Sequence, residues 1–380
     1  MAHIALSAYD LETGGISRVT VYLANGFAAR GHRVSLVLCS GAGELHGALA
    51  EELRTDVEMV QLSDRRFRSR AMGQVRTWRK MQDWLRMAKP DVLLGTANNI
   101  AWWSGLVRKG LGEDAPRLFI KTTNPIMRAK DGAMLTAIRH AGYSRLFGAA
   151  EKVLALSEAE AMLLSRQFPS QADRFVQVFN PYLTPAFLET PLRRREHGSA
   201  PAILALGRLA PQKNFARAIE AFAIAREKGG ASMAGATLLI AGEGPLRPEL
   251  EALVAKLGLR DHVSMPGFSS DAARLMGDAD LYLMSSEYEG LPAAVIEALG
   301  SGVPVVTTDC FLAARELLDG LPGCAVSLPD AQALADAMQR AVAERSEPEA
   351  MRERVRDYAI AAAVESHLAA MGLSSPSDPQ

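Results

Sequence analysis

Cysteine is scarce in this chain of 380 residues: only Cys39, Cys310 and Cys324 occur. An odd, scattered set with no C-x-x-C spacing excludes a disulfide scaffold and a zinc ribbon, and it points to a reducing cytoplasm. Excess charge of either sign is also missing. The net charge is −1, so no general affinity for nucleic acid is expected. No run reaches the ~18 apolar residues that a membrane span needs. The N-terminus runs straight into a strand-like segment, without the basic region, apolar stretch and cleavage site of a signal peptide. The histidines are scattered, and no Ser/His/Asp signature or closely spaced carboxylate pair appears.

What is present is ordinary globular composition, 48% hydrophobic and 22% charged. At roughly 100–200 residues per domain, the length is enough for two domains. Both halves repeat strand, turn, helix. In the first half, His3–Tyr9, Arg33–Cys39 and Val57–Leu62 read as strands, and Ile16–Arg30, Leu45–Leu53 and Met72–Ala88 as helices. Val92–Gly95, Arg117–Lys121 and Lys152–Leu156 are further short apolar runs. A polar, Pro- and Gly-punctuated stretch near Leu188–Ala200 reads as a linker. The rhythm then restarts, with strands expected at Ala202–Leu206, Thr237–Ala241, Val263–Met265, Leu281–Met284, Val303–Thr307 and Cys324–Val326.

Such alternation implies βαβ units and parallel sheets. The expected fold is α/β, with two Rossmann-like doubly wound domains facing across a cleft. Residues 1–187 form the first domain, 188–200 the linker and 201–354 the second domain. The tail Glu349–Met371 reads as long and helical, with a segment at about 355–373 packing back on the first domain, and Ser374–Gln380 reads as frayed.

Two segments carry the candidate chemistry. Ser285-Ser-Glu-Tyr-Glu-Gly-Leu-Pro follows the strand Leu281–Met284, with Pro292 placed for the first turn of a helix. The helix start offers free amides to a phosphate. Glu289 and Glu297 are separated along that segment by on the order of 10 Å at ~1.5 Å per helical residue. That is too far for acid/base work on one bond, but it suits two contacts along one elongated ligand whose hydroxyls donate to carboxylates. A capping glutamate plus a solvated one is the competing explanation. The second segment, Gly207-Arg-Leu-Ala-Pro-Gln-Lys, places Arg208 and Lys213 after the strand Ala202–Leu206. Cations there neutralise a departing diphosphate; an ordinary basic surface loop is the alternative.

Together these segments resemble the family 4 retaining glycosyltransferases, of GT-B architecture. That family's Glu, seven residues, Glu pattern matches Glu289 and Glu297, and its Arg and Lys match Arg208 and Lys213. Thr13-Gly-Gly-Ile-Ser-Arg-Val looks like its N-terminal glycine loop. Leu156-Ser-Glu-Ala-Glu-Ala, Phe179-Asn-Pro-Tyr, Ala241-Gly-Glu-Gly-Pro-Leu and Met265-Pro-Gly-Phe also resemble its segments.

The resemblance implies Arg208 and Lys213 on the donor diphosphate, Glu289 on the transferred sugar and Glu297 on the ribose. Gly290, Leu291 and the amides after Pro292 would face sugar or phosphate. Gly14 and Gly15 would leave room for the phosphate, and Gly267-Phe268 would neighbour the base. It further implies a nucleotide sugar as substrate, with no cofactor and no metal. The acceptor would be a glycan or a lipid-linked molecule, in cell-surface polysaccharide or glycolipid synthesis at the inner face of the membrane. Where many relatives carry an acceptor-side histidine, this chain has Lys121-Thr-Thr-Asn124. Thr308-Asp-Cys with a later Arg315-Glu316 resembles the branch that uses UDP-sugars, with Leu312–Ala314 where that branch has glycines. Another sugar-nucleotide enzyme such as an epimerase, or a non-catalytic sugar-nucleotide sensor, are the competing functions.

Two further signals bear on partners. Asp278-Ala-Asp280 has a metal-binding spacing, but it precedes a strand and reads as turn residues. Residues 65–89 are strongly basic with interleaved aromatics, which is either a solvated helix whose aromatics face the core or a patch that meets anionic membrane.

Overall fold

A strand covered on both faces is buried along its whole length, and the central strands here are of that kind, whereas β3 (Val57–Gln61) and β10 (Val263–Gly267) at the sheet edges are largely half-buried or exposed. All six residues of β1 (His3–Ala8) are buried, as are all four of β4 (Val92–Gly95) and of β11 (Leu281–Met284). The computed structural model describes residues 1–11, 14–40, 48–65, 67–127, 132–193 and 200–373. The chain divides into two units, Met1–Pro181 with Ile360–Gln380, and Tyr182–Ala359.

The first unit is built on seven parallel strands in the order β3-β2-β1-β4-β5-β6-β7. The others are β2 (Arg33–Leu38), β3 (Val57–Gln61), β5 (Arg117–Lys121), β6 (Lys152–Ala155) and β7 (Phe175–Gln177). Its helices are α1 (Gly15–Ala29), α2 (Ala48–Glu51), α3 (Arg70–Ala88), α4 (Asn98–Lys109), α5 (Ala133–Ala149) and α6 (Glu158–Gln167). Met81 and Leu85 of α3, Trp103 and Val107 of α4 and Leu146 and Phe147 of α5 pack with Leu93, Leu118 and Ile120 in one core.

The second unit has six strands in the order β10-β9-β8-β11-β12-β13, again parallel. They are β8 (Ala202–Leu206), β9 (Thr237–Ala241), β10 (Val263–Gly267), β11, β12 (Val305–Thr308) and β13 (Ala325–Ser327). Its helices are α7 (Pro185–Leu188), α8 (Phe215–Lys228), α9 (Ala231–Ala234), α10 (Arg247–Lys256), α11 (Ala272–Asp278), α12 (Ala293–Gly300), α13 (Ala314–Leu318), α14 (Ala331–Ala343) and α15 (Pro348–Arg354). Both units therefore adopt the doubly wound, Rossmann-like α/β fold expected from the alternation of strands and helices.

Three details differ from expectation. The division falls at 181/182, before the expected 187, because the backbone N–H groups of Tyr182 and Leu183 donate to the Tyr358 carbonyl of the second unit (3.1 and 3.0 Å). The linker expected at 188–200 lies partly outside the described residues, as do Ser374–Gln380 and the start of the helix expected at Leu45–Leu53. The tail is not one long helix: α15 ends at Arg354, a 3-10 turn covers Arg356–Tyr358, and α16 (Ile360–Ala370) follows in the first unit. There α16 lies against α1 so closely that a Cβ on Gly26 would sit 2.2 Å from Val364 Cγ2.

Candidate active site

In an open parallel sheet, ligands bind beyond the C-terminal strand ends where the strand order reverses. In the second unit that point lies between β8 and β11, which pair although they are far apart in sequence. The two candidate segments are the loops leaving these strands. Their meeting is thus a consequence of topology.

The Lys213 ammonium donates to Glu289 Oε1 at 2.7 Å, and the Glu289 side chain is only 11% exposed. Ser286 Oγ donates to the same oxygen at 2.8 Å, while Gln212 Nε2 donates to the Tyr288 carbonyl at 2.9 Å and to Glu289 Oε2 at 3.4 Å. The Glu289 N–H donates to the Cys310 carbonyl at 2.8 Å, and Thr308 Oγ1 to the Ser286 carbonyl at 2.7 Å, which ties the loop to the end of β12. Beneath it, Arg217 bonds the Ser285 carbonyl (3.0 Å) and Glu287 (2.6 Å). Asn214, left-handed at φ 43°, caps α8 by accepting from the Arg217 N–H. These contacts fix the carboxylate in place before any ligand arrives.

Arg208 is exposed, and its side chain takes no hydrogen-bond or ion-pair partner among the described residues. Glu297 lies inside α12 and is 4% exposed. Burial, with the Glu297 and Glu289 carboxylates nearby, pushes the Tyr282 phenol well above its ordinary pKa. Pro292 is the cap of α12 rather than its first residue, at φ −74° and ψ 115°, and no side chain caps the helix start. Leu291 is buried, and its carbonyl accepts from the Tyr182 hydroxyl at 3.1 Å. Gly290, beside it, is half-buried.

Gly242 lets the loops after β8 and β9 touch: a Cβ there would lie 1.8 Å from the Gly207 carbonyl oxygen. Gly267 ends β10 at φ +99°, its carbonyl accepts from the Gly242 N–H at 2.8 Å, and Phe268 is 79% exposed on this rim. The structure brings Lys213 and Glu289 into contact and places Gly267 and Phe268 farther along the same strand ends. Asp278 pairs with Arg274, and Asp280 accepts from the Ala202 N–H, so each serves the local fold.

The remaining candidates belong to the first unit. Gly14 precedes α1, and a Cβ on Gly14 or Gly15 would meet nothing within 4 Å; Thr13 lies outside the described residues. Lys121, placed on the acceptor side by resemblance, is 1% exposed. Leu118 and Ile120 face the core under α3 to α5, so Phe119 and Lys121 face the other side of the sheet, toward α1 and α16. Burial lowers the Lys121 ammonium pKa to about 7. His367 of α16 is fully buried, and its pKa is lowered by burial and then by Lys121. Asn124 is exposed, in a turn held by Asn98 Nδ2, which donates to the Asn124 carbonyl at 2.8 Å.

Gln212, Ser286, Arg217 and Tyr182 escaped the sequence reading. Only Asn214, an Asn just before an apolar-periodic run, carried a local signal, that of a helix cap. The others act through partners that sequence spacing does not reveal.

Residues 13–182 match the family model described as Glycosyltransferase Family 4, and residues 192–358 the model described as Glycosyl transferases group 1. The chain is 26% identical over 342 residues to the lipopolysaccharide core biosynthesis glycosyltransferase LpsE of Rhizobium meliloti, covering 88% of this chain and 87% of the relative. It is 32% identical over 161 residues to the alpha-D-kanosaminyltransferase of Streptomyces kanamyceticus, covering 42% and 40%. Among solved structures, Anabaena HepE in complex with UDP matches with a TM-score of 0.73 and 16% identity, over 98% of this chain and 100% of that one. The lipopolysaccharide outer core galactosyltransferase WaaB matches with a TM-score of 0.76 and 16% identity, over 98% and 99%.

Proposed function

This chain belongs to the family 4 glycosyltransferases, and from that premise we propose that it is a retaining enzyme without a resident metal. It moves a hexose or N-acetylhexosamine from a nucleotide sugar, a UDP-sugar by preference, to a hydroxyl of a glycan or lipid-linked acceptor. The Lys213–Glu289 ion pair at the β8/β11 reversal carries this reading. It sets a cation for the departing diphosphate beside a carboxylate that accepts from sugar hydroxyls. Arg208 supplies a second cation and Glu297 the ribose contact. The acceptor oxygen bonds to the anomeric carbon on the face from which the diphosphate departs. The C–O bond to phosphate breaks, and the acceptor proton passes to the departing phosphate oxygen. The protein positions the reactants and stabilises the charge.

The nucleotide preference draws support from HepE, whose structure is a complex with UDP. The pathway reading draws support from LpsE, named for lipopolysaccharide core biosynthesis. A site of action at the inner face of the cell membrane draws support from α3, which bears Arg70, Arg76, Arg79, Lys80 and Arg86 with Val75 73% exposed, a composition suited to an anionic lipid surface. Among the described residues no helix is long and apolar enough to cross a membrane.

Calorimetry with UDP, GDP, ADP and TDP in metal-free buffer tests the reading on wild type and Glu297→Gln. Selective UDP binding that weakens in the variant supports it. Tight binding of another diphosphate replaces the donor, and binding of none overturns the site.

A further inference from the structure

The chain passes between its two units at 181/182 and again at 359/360. Within the second unit these crossings are bonded to each other. The N–H groups of Tyr182 and Leu183 both donate to the Tyr358 carbonyl, and Leu183 forms a parallel bridge with Ala359. The same segment grips α12, the helix that carries Glu297, at both ends. At the front, the buried Tyr182 hydroxyl donates to the Leu291 carbonyl at 3.1 Å. At the back, Arg352 Nε donates to the Gly300 carbonyl at 2.7 Å, and its Nη2 to the Thr190 carbonyl at 2.7 Å. Gly300 packs so closely on Leu183 that a Cβ would meet Leu183 Cδ2 at 2.4 Å.

A helix held at one end pivots, whereas a helix held at both ends follows whatever holds it. We propose that Tyr182 is a positioning residue for the sugar-side loop Glu289–Pro292, its hydroxyl coupling the crossing between the units to the place where the transferred sugar is held. The inference rests on the donor site proposed above. It goes further in giving that site a mechanical input from outside the motif. The coupling passes through the Leu291 backbone, so it leaves the diphosphate contacts of Lys213 and Arg208 in place. Glu297 lies in the half of α12 that Arg352 and Leu183 still hold at Gly300, so the defect falls on holding the sugar and not the nucleotide.

The test is Tyr182→Phe, which keeps the ring and removes only the donor. Hydrogen exchange of the peptides covering 286–300 reads the loop without any ligand. Calorimetry with UDP and with UDP-glucose, UDP-galactose and UDP-N-acetylglucosamine reads the site. The expected result is faster exchange confined to 288–292, UDP affinity within about twofold of wild type, and about tenfold weaker binding of the sugar nucleotide that wild type prefers. The magnitude follows from leaving one buried carbonyl without its donor. Unchanged exchange overturns the coupling. So does exchange that rises across the whole second unit together with a lower Tm, which would make Tyr182 a general stabiliser. If wild type binds no nucleotide while the exchange result holds, the donor reading fails and the coupling stands.

Discussion

The two units share a topology but treat charge in opposite ways. The first holds 24 Lys and Arg against 19 Asp and Glu, the second 18 against 24. At the C-terminal strand ends of the second unit, charges answer one another: Lys213 with Glu289, Arg217 with Glu287, Arg247 with Glu243 and Glu251. The first unit has a bare glycine turn before α1 and, under α1 and α16, a lysine whose side chain has no hydrogen-bond or ion-pair partner among the described residues. For the donor site proposed above, such pre-wiring would mean that little reorganisation is needed at the moment of reaction. In the first unit the ion pairs lie elsewhere, as with Arg117 and Glu151 or Arg54 and Asp56, and among the described residues none of them involves Lys121.

The comparison breaks most sharply at the ion pair. Lys213→Ala should lower transfer by about 10²–10³-fold, whereas Gly14→Ala, into open space at an extended φ of 173°, should leave Tm unchanged and weaken only donor binding. Steady-state kinetics beside thermal melts separate the two. If Gly14→Ala unfolds the first unit, its turn is structural after all. Next in size is Gly242→Ala, whose methyl group would collide with the Gly207 carbonyl. Urea unfolding should show a loss of about 2–4 kcal/mol.

Lys121 sharpens the contrast from the other side. The unfolded chain keeps that ammonium protonated to its ordinary pKa of about 10.4, while burial brings the folded value to about 7. Between those values the unfolded state holds a proton that the folded state lacks, so stability should climb as pH rises from 7 toward 10, by up to about 1.4 kcal/mol per pH unit. Urea midpoints at pH 7 and 9.5 check this, and Lys121→Met should remove that rise. An identical slope in the variant would assign the effect elsewhere. The smallest effect is expected at the surface. Arg76→Glu should shift stability by no more than about 0.5 kcal/mol and cut flotation with anionic vesicles several-fold. Equal flotation removes α3 as a lipid contact.

The two candidate loops that meet were legible because their signals are local. Gly207–Lys213 and Ser285–Pro292 each follow an apolar strand and precede a helix, and that pattern lies within a dozen residues. The tail was misread for a related reason. Helical periodicity runs on through 355–359, and what interrupts the helix is the Tyr358 carbonyl accepting two amides from a segment far back in the chain.

By itself, then, the sequence determined two parallel-sheet units, the candidate loops at their strand ends and the residue types in them, because strand and helix periodicity and turn composition are short-range properties. The tertiary structure decided which oxygen of Glu289 meets Lys213, that Lys121 is buried, and that Tyr182 holds Leu291. Each depends on which strands lie side by side and on a C-terminal helix returning to the first sheet. Those pairings are selected by burying apolar surface over the whole unit, and no window of neighbouring residues encodes them.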